Sequence, residues 1–421
     1  MTPLVRGGRA LAALAAFLAF TSVQRQHGQG THIIVDVAVA AAVFVLGVVH
    51  WLVTRWAFDG ETLHVETGLL RRDMKKVPVA RIQAVDVVQP LVAKFLDVAE
   101  LKIRVAGSGK EERLAYLHHD RALALRASLL AAHHGLDPAT PEPPERPIAT
   151  VPGGRLAWSV ALTGSTAFLI AILIGLGVVF TVSEKAGFAL VTAAFVYLLG
   201  LVTGVWRRFN SQYGFTIAQA PDGIRVRRGL LGSVAETIPV RRVQAIRQIE
   251  PVLWRPLGWR HLQVDLAGVG KRDAAGGSGS VTKTLLPVGA PEVVAAVRAM
   301  VVDDRGVVLT APPARSRWKA PLSYHNLAAG HDRDVVVAVT GRLRRVTCWV
   351  PLEKVQSVRR VQGPLQRALR VATVHVDVAG RRVDASFKDR DVDEADRLVD
   401  ELATLSRAAR SRTIPGATTA P

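Results

Sequence analysis

GLLGSVAETIPVRRVQAIRQIEPVLWRPLGWRHLQVDLAG, residues Gly229–Gly268, is the stretch around which the 421-residue chain is organised, because its pattern occurs three times. Residues Gly68–Gly107 (GLLRRDMKKVPVARIQAVDVVQPLVAKFLDVAELKIRVAG) and Gly341–Gly380 (GRLRRVTCWVPLEKVQSVRRVQGPLQRALRVATVHVDVAG) align with it without a gap. Gly68, Gly229 and Gly341 open the copies in one column; Pro78, Pro239 and Pro351 share a second, and Gln83, Gln244 and Gln356 a third. Apolar positions also agree column by column, so the chain holds three copies of one folding unit.

Within and around the first copy the hydrophobic period is that of strands. Thr62–Thr67, Met74–Val77, Ala84–Gln89, Leu101–Val105 and Arg113–Leu117 alternate or are β-branched. Proline cannot donate to a ladder, so the strand it closes ends there or lies at an edge. A helix over Ala122–His133 follows the first set of strands, one over Pro291–Met300 the second, and Val392–Ala409 the third. That last helix carries acids early and Arg407 and Arg410 late, as its dipole prefers. Strands closed by a single helix describe a small, strongly bent antiparallel barrel or sandwich.

The hydrophobic-Pro pairs Val77-Pro78, Ile238-Pro239 and Val350-Pro351, the glutamine five residues on, and the PLQRAL turn at Pro364–Leu369 resemble the bacterial pleckstrin-homology-like domain of membrane-flanked proteins of the YdbT type. The resemblance implies a pleckstrin-homology (PH)-like fold and a binding role, and it brings no catalytic motif.

Four apolar runs suggest the rest of the layout. Ala10–Val23, preceded by Arg6 and Arg9, has the length and basic front of a signal-peptide core, but it lacks a small-x-small cleavage site, so a span over residues 4–23 is the reading. Ile33–Val53 is long enough to cross a bilayer, and Ala157–Val182 with Ala186–Val205 forms a helical hairpin around Ser183–Lys185. Trp51, Arg55 and Trp56, Arg155 with Trp158, and Trp206 with Arg207 and Arg208 mark the ends expected to face the cytosol. The expected fold is therefore an α+β multi-domain membrane protein, with about four transmembrane helices and three PH-like units each capped by a C-terminal helix. The expected boundaries are a transmembrane pair at 1–55 (helices 4–23 and 33–53), unit one at 56–135, a Pro-rich linker at 136–156, the hairpin at 157–206, unit two at 207–302, a linker at 303–321, unit three at 322–410 and a disordered tail at 411–421.

Chemistry is sparse. His118-His119-Asp120, His133-His134 and His331-Asp332-Arg333-Asp334 lack the i, i+4 pairing of a helical zinc site, so no metal and no cofactor is expected. Cys348, the single cysteine, reads as a buried thiol in a strand. Gly270–Ser280 is Gly-rich yet ends without the Gly-Lys-Ser/Thr of a phosphate loop, which leaves a hairpin insertion. No Ser-His-Asp set and no dinucleotide fingerprint appears, so no enzyme is expected.

The formal charge of +19 is more informative. Arg225, Arg227, Arg228, Arg241, Arg242, Arg342, Arg344, Arg345, Arg359 and Arg360 sit at strand ends and turns, where an anionic leaflet or an acidic partner protein would meet them. Trp254 falls in a column that is otherwise not bulky and reads as an apolar anchor, whereas Trp259 reads as core. No helix-turn-helix or RNP-like aromatic pattern accompanies the charge, so nucleic acid is not an expected partner. The expectation is a non-enzymatic scaffold at the cytoplasmic membrane, its modules facing the cytosol and binding anionic lipid, another membrane protein or a second copy. A competing expectation is a transport or export component using Asp36 and His50.

Overall fold

The computed structural model describes residues 55–67, 73–105, 111–133, 146–163, 172, 174–175, 177–178, 199–220, 223–266, 281–379 and 385–413. The chain divides into two compact units. The first is residues 1–144 with 229–237, and the second is residues 145–228 with 238–421.

The first unit opens with β1 (Arg55–Phe58), β2 (Thr62–Thr67) and β3 (Asp73–Pro78), an antiparallel sheet in the order β1-β2-β3. Pro78 holds φ at −61° and has no N–H, so the ladder stops and a 3₁₀ turn, Val79–Arg81, takes the chain around a corner. Beyond it run β4 (Ile82–Gln89), a short helix α1 (Leu91–Phe95), β5 (Val98–Val105) and β6 (Glu111–His118), then α2 (His119–His133). Leu63, Ile82, Val85, Leu101, Ile103 and Leu114 from the strands pack with Ala122, Leu125 and Leu129 of α2 into one core.

The second unit repeats this order. It contains β7 (Arg146–Thr150), α3 (Gly153–Ala161), helical residues 199–212, β8 (Thr216–Ala220) and β9 (Gly223–Arg228). β10 (Ser233–Ile238) follows in sequence, but its residues Ser233–Thr237 fall in the first unit, where they pair with β4. β11 (Val243–Pro251), β12 (Arg260–Leu266), β13 (Val281–Gly289) and α4 (Pro291–Ala299) complete the second repeat. The third repeat supplies β14 (Ala328–His331), β15 (Val335–Thr340), β16 (Arg344–Pro351), β17 (Val355–Val361), α5 (Pro364–Ala368), β18 (Val371–Val378), β19 (Ala385–Asp391) and α6 (Val392–Thr413).

β13-β12-β11-β16-β15-β14 is one six-stranded sheet, and β17-β18-β19 is a separate one. Pro239 and Pro351 turn the corner as Pro78 does, into 3₁₀ turns Val240–Arg242 and Leu352–Lys354. The opening glycines serve a second turn: Gly229 and Gly341 have φ of +121° and +90°, and a Cβ on either would collide with the carbonyl oxygen of Gly232 or Arg344. Gly68 lies outside the described residues, as do Asp36, His50 and Gly270–Ser280.

The expectation of a layer of four transmembrane helices is corrected here. Among the described residues no helix is long and apolar enough to cross a membrane, and the chain described is mostly β-sheet. The segments expected at 4–23 and 33–53 lie outside the described residues. At and beside the expected hairpin the described residues divide: Leu156 and Val160 of α3 are buried in the second unit's core, with Val205 and Phe209 of residues 199–212 against it, whereas Trp158, Ile174, Val178, Leu199, Val202 and Trp206 are exposed. Hydropathy along the chain does not distinguish such a core helix from a lipid-facing one. The three β-rich units, each followed by its helix, are present as expected.

Two more elements differ from the sequence reading. β1 occupies RWAF, where the aromatic-cation pair had suggested a membrane end, and β7 forms within the Pro-rich stretch before residue 152 by pairing with β8.

Candidate functional site

Local constraints in the second unit bring distant residues to one cleft of about 780 Å³. After β11, Pro251 ends the strand and a 3₁₀ turn, Val252–Leu257, begins; it closes on Gly258 in the left-handed region at φ +65°. Val252 N–H donates to the Leu343 carbonyl at 2.8 Å, and Arg255 donates to the Arg342 carbonyl. The third repeat's Gly341 turn is thereby held against the second repeat's 3₁₀ turn, with Leu343 and Arg344 at the cleft mouth. The other walls are Leu162 and Thr163 after α3, Arg208 and Gln212, Ile249 and Trp254, and His261, Gln263 and Thr284 from β12 and β13.

The cleft is cationic. Burial depresses the Arg208 guanidinium's pKa, and the nearby Arg344 depresses it further. Arg344 is itself lowered, first by burial and then by Arg247. Among the described residues no carboxylate lies within ion-pair distance of Arg208, Arg247 or Arg344. Glu250, the acid of β11, is committed to Arg260 at 2.9 Å and to Gln248 at 2.7 Å. Arg208 and Arg247 are half-buried and Arg344 is exposed at the cleft; a half-buried cation without a counter-ion costs free energy that an anionic ligand would recover.

His261 sits in the same wall. Burial pushes its pKa down to about 4; the Pro287 carbonyl works against this, and Arg208 and Arg344 add to it. A carbonyl only accepts, so the 2.9 Å contact with Pro287 makes Nδ1 the protonated nitrogen of the neutral ring. Because the folded value lies below the usual 6.5, the unfolded chain binds more protons between pH 6.5 and 4. Stability present above pH 6.5 is therefore lost as pH falls toward 4, by on the order of 3 kcal/mol from this group. Denaturation midpoints of wild type and His261→Gln across that window check this: the variant should show the shallower slope, and parallel slopes would refute it.

A smaller cavity of about 210 Å³ shares Thr163 and Arg208 with the cleft and is otherwise lined by Val160, Gly200, Leu201, Gly204 and Val205. A Cβ at Gly200 or Gly204 would meet nothing within 4 Å. These glycines leave an apolar slot beside a guanidinium.

The candidates named from sequence are dispersed. Arg344 lines the cleft, with Arg342 exposed on the preceding turn and Arg345 exposed beside it on β16. Trp254 lines the cleft but is only 1 % exposed, with its ring edge-on to Trp259 at 6.4 Å, so it is core and not a protruding anchor. Arg225 is 2 % exposed on β9 and presents nothing at the surface, while Arg227 is exposed there. Arg228 donates to the Ser211 carbonyl at 3.4 Å. Arg241 and Arg242 lie on the 3₁₀ turn after Pro239, Arg241 lining a separate 340 Å³ pocket with Asp303, Asp334 and Glu353. Arg359 and Arg360 are paired with Asp377 and Asp396, each at 2.9 Å. Of the repeat-defining residues, Gln244 is buried and Gln356 exposed. Sequence reasoning missed His261 and took Arg208 for the flank of an apolar run; no local signal joins two residues whose proximity comes from sheet pairing.

The chain matches the bacterial PH domain over residues 10–133, 159–300 and 293–406, which together cover most of its length. The chain belongs to the bacterial PH domain family. No curated protein and no solved structure matches it. The three bacterial PH segments correspond to the three sequence repeats, and the cleft lies where the second PH repeat meets the turn of the third.

Proposed function

We propose that this bacterial PH protein is a non-enzymatic scaffold whose cleft receives the anionic headgroup of an amphiphile, at the cytoplasmic face of the cell membrane. The observation that carries the reading is the pairing of Arg208 and Arg344 in a half-buried cleft without a carboxylate among the described residues, opening into an apolar slot. A phosphate satisfies the guanidinium groups in a planar, multidentate way, and an acyl segment fits beside Val160 and Gly204. Trp158, Leu199, Val202, Trp206 and Leu343 are exposed around these walls, which suits contact with a lipid surface. The net charge of +19 draws the protein toward an anionic leaflet. Binding is favoured over catalysis because His261, the one imidazole among the described residues that line the cleft, has its pKa lowered by burial to about 4, which makes it a weak general base near neutral pH.

Vesicle co-sedimentation tests this. The full chain should bind vesicles containing anionic phospholipid well above purely zwitterionic ones, and Arg208→Gln and Arg344→Gln should each weaken binding about tenfold, the loss of about 1.4 kcal/mol. Gly204→Leu, whose Cβ meets nothing within 4 Å and whose longer side chain would occupy the slot, should weaken it too. If Arg208→Gln/Arg344→Gln bound anionic vesicles as wild type does, the charge would act diffusely and the cleft reading would fall.

A further inference from the structure

The repeats are joined to one another in a single way. In the first junction β4 of repeat one pairs antiparallel with β10 of repeat two, and in the second β11 of repeat two pairs with β16 of repeat three. Val88 and Ile249 occupy one column of the repeat and Val234 and Val346 another, and each junction sets that pair opposite, Val88 to Val234 and Ile249 to Val346. Val87 to Ala235 and Gln248 to Thr347 repeat the agreement one residue on. The register is the same at both.

The pattern leaves one strand of each kind over. Among the described residues β3, the first repeat's counterpart of β10 and β16, pairs only with β2, and β17, the third repeat's counterpart of β4 and β11, pairs only with β18. Both are long edges with exposed backbone-flanking residues, Met74 57 % exposed and Val361 41 %. We propose that the protein assembles head to tail with a second copy, β17 of one copy pairing with β3 of the next in the register of the internal junctions. That register sets Arg360 opposite Met74 and Arg359 opposite Lys75.

The charges decide between this and an edge guarded against pairing, the usual use of basic residues on edge strands. Arg359 facing Lys75 alone would repel. The first junction meets the same problem with the opposite sign: Asp86 and Glu236, on facing strands, share Arg104 of β5. The residue of the third repeat in the column of Arg104 is Asp377, which already holds Arg359 at 2.9 Å. Lys75 arrives with Glu112, likewise at 2.9 Å. The new junction would thus carry two bases and two acids, with Asp377 in the column that Arg104 fills between Asp86 and Glu236 and Glu112 as a further acid. A heterologous contact of this kind propagates into a filament or closes into a ring.

Two single-cysteine variants of the full chain, Arg360→Cys and Met74→Cys, mixed and oxidised, test the proposal, with the native Cys348 buried and out of reach. The expected result is a shift of the mixture from monomer to a disulfide-linked dimer of the two variants, together with concentration-dependent mass of the unmodified chain in sedimentation. Mixing Arg360→Cys with Lys75→Cys, whose side chains would point to opposite faces of the joined sheet, should give no such dimer. A wild-type chain that stays monomeric at every concentration, or equal crosslinking in both mixtures, would overturn it. Unchanged thermal melts of the variants exclude misfolding as the cause of either result.

Discussion

Replacing Arg104 by alanine is expected to destabilise the first unit by about 3–5 kcal/mol, the cost of removing one partner from a buried ionic cluster. Arg104, Asp86 and Glu236 are all buried; Arg104 contacts Asp86 closely and Glu236 at 3.2 Å, and Asp86 also accepts the Thr237 N–H at 3.3 Å. Without the guanidinium, two carboxylates on facing strands are left desolvated and mutually repelling. The loss should concentrate in β10, the strand lent by the second repeat, so hydrogen exchange at Val234–Thr237 is the measurement that locates it. Arg359→Ala supplies the contrast: Arg359 and Asp377 occupy the columns of Asp86 and Arg104 with the charges exchanged, but they are 57 % and 38 % exposed, and exposed pairs contribute about 1 kcal/mol or less. Equal losses from the two substitutions would show that burial does not set the value of this cluster.

Trp254→Ala should cost the second unit about 3–5 kcal/mol, as expected for truncating a large side chain in a packed core. Trp254 heads the fully buried side chains and packs with Ile246, Leu262 and Val294 in one cluster. Trp254→Phe should cost much less. It keeps most of the apolar contact and removes an indole N–H that has no hydrogen-bond acceptor within reach, and a buried unpaired donor costs about 1–3 kcal/mol. Urea denaturation followed by a probe in the second unit separates the variants. An alanine variant of unchanged stability that had lost vesicle binding would return Trp254 to the role of surface anchor.

What was legible beforehand followed from local chemistry. The proline that closes a strand has a locked φ and no N–H wherever it stands, so a strand end or edge at such a residue could be read from the sequence, while the corner into a 3₁₀ turn after Pro78, Pro239 and Pro351 could not. β-Branched runs such as Val335–Thr340 marked strands to within a residue or two. β7 and β14 were not legible, because Arg146–Thr150 and Ala328–His331 become strands only by pairing with β8 and β15. The long apolar runs misled for a related reason: a window of Leu, Val and Ala has the same hydropathy whether it faces lipid or, as Leu156 and Val160 do, a protein core.

The amino-acid sequence by itself determined that there are three β-rich units, their strand order within each copy, and the helix that follows. These depend on the period of side chains along one segment, which is a property of that segment alone. Only the tertiary structure decided that β10 is lent to the first unit, that β11 and β16 join in the same register, and that Arg208, His261 and Arg344 share a cleft. Each of those depends on which backbone edge and which buried face a segment meets, and that choice is made by partners far away in the chain.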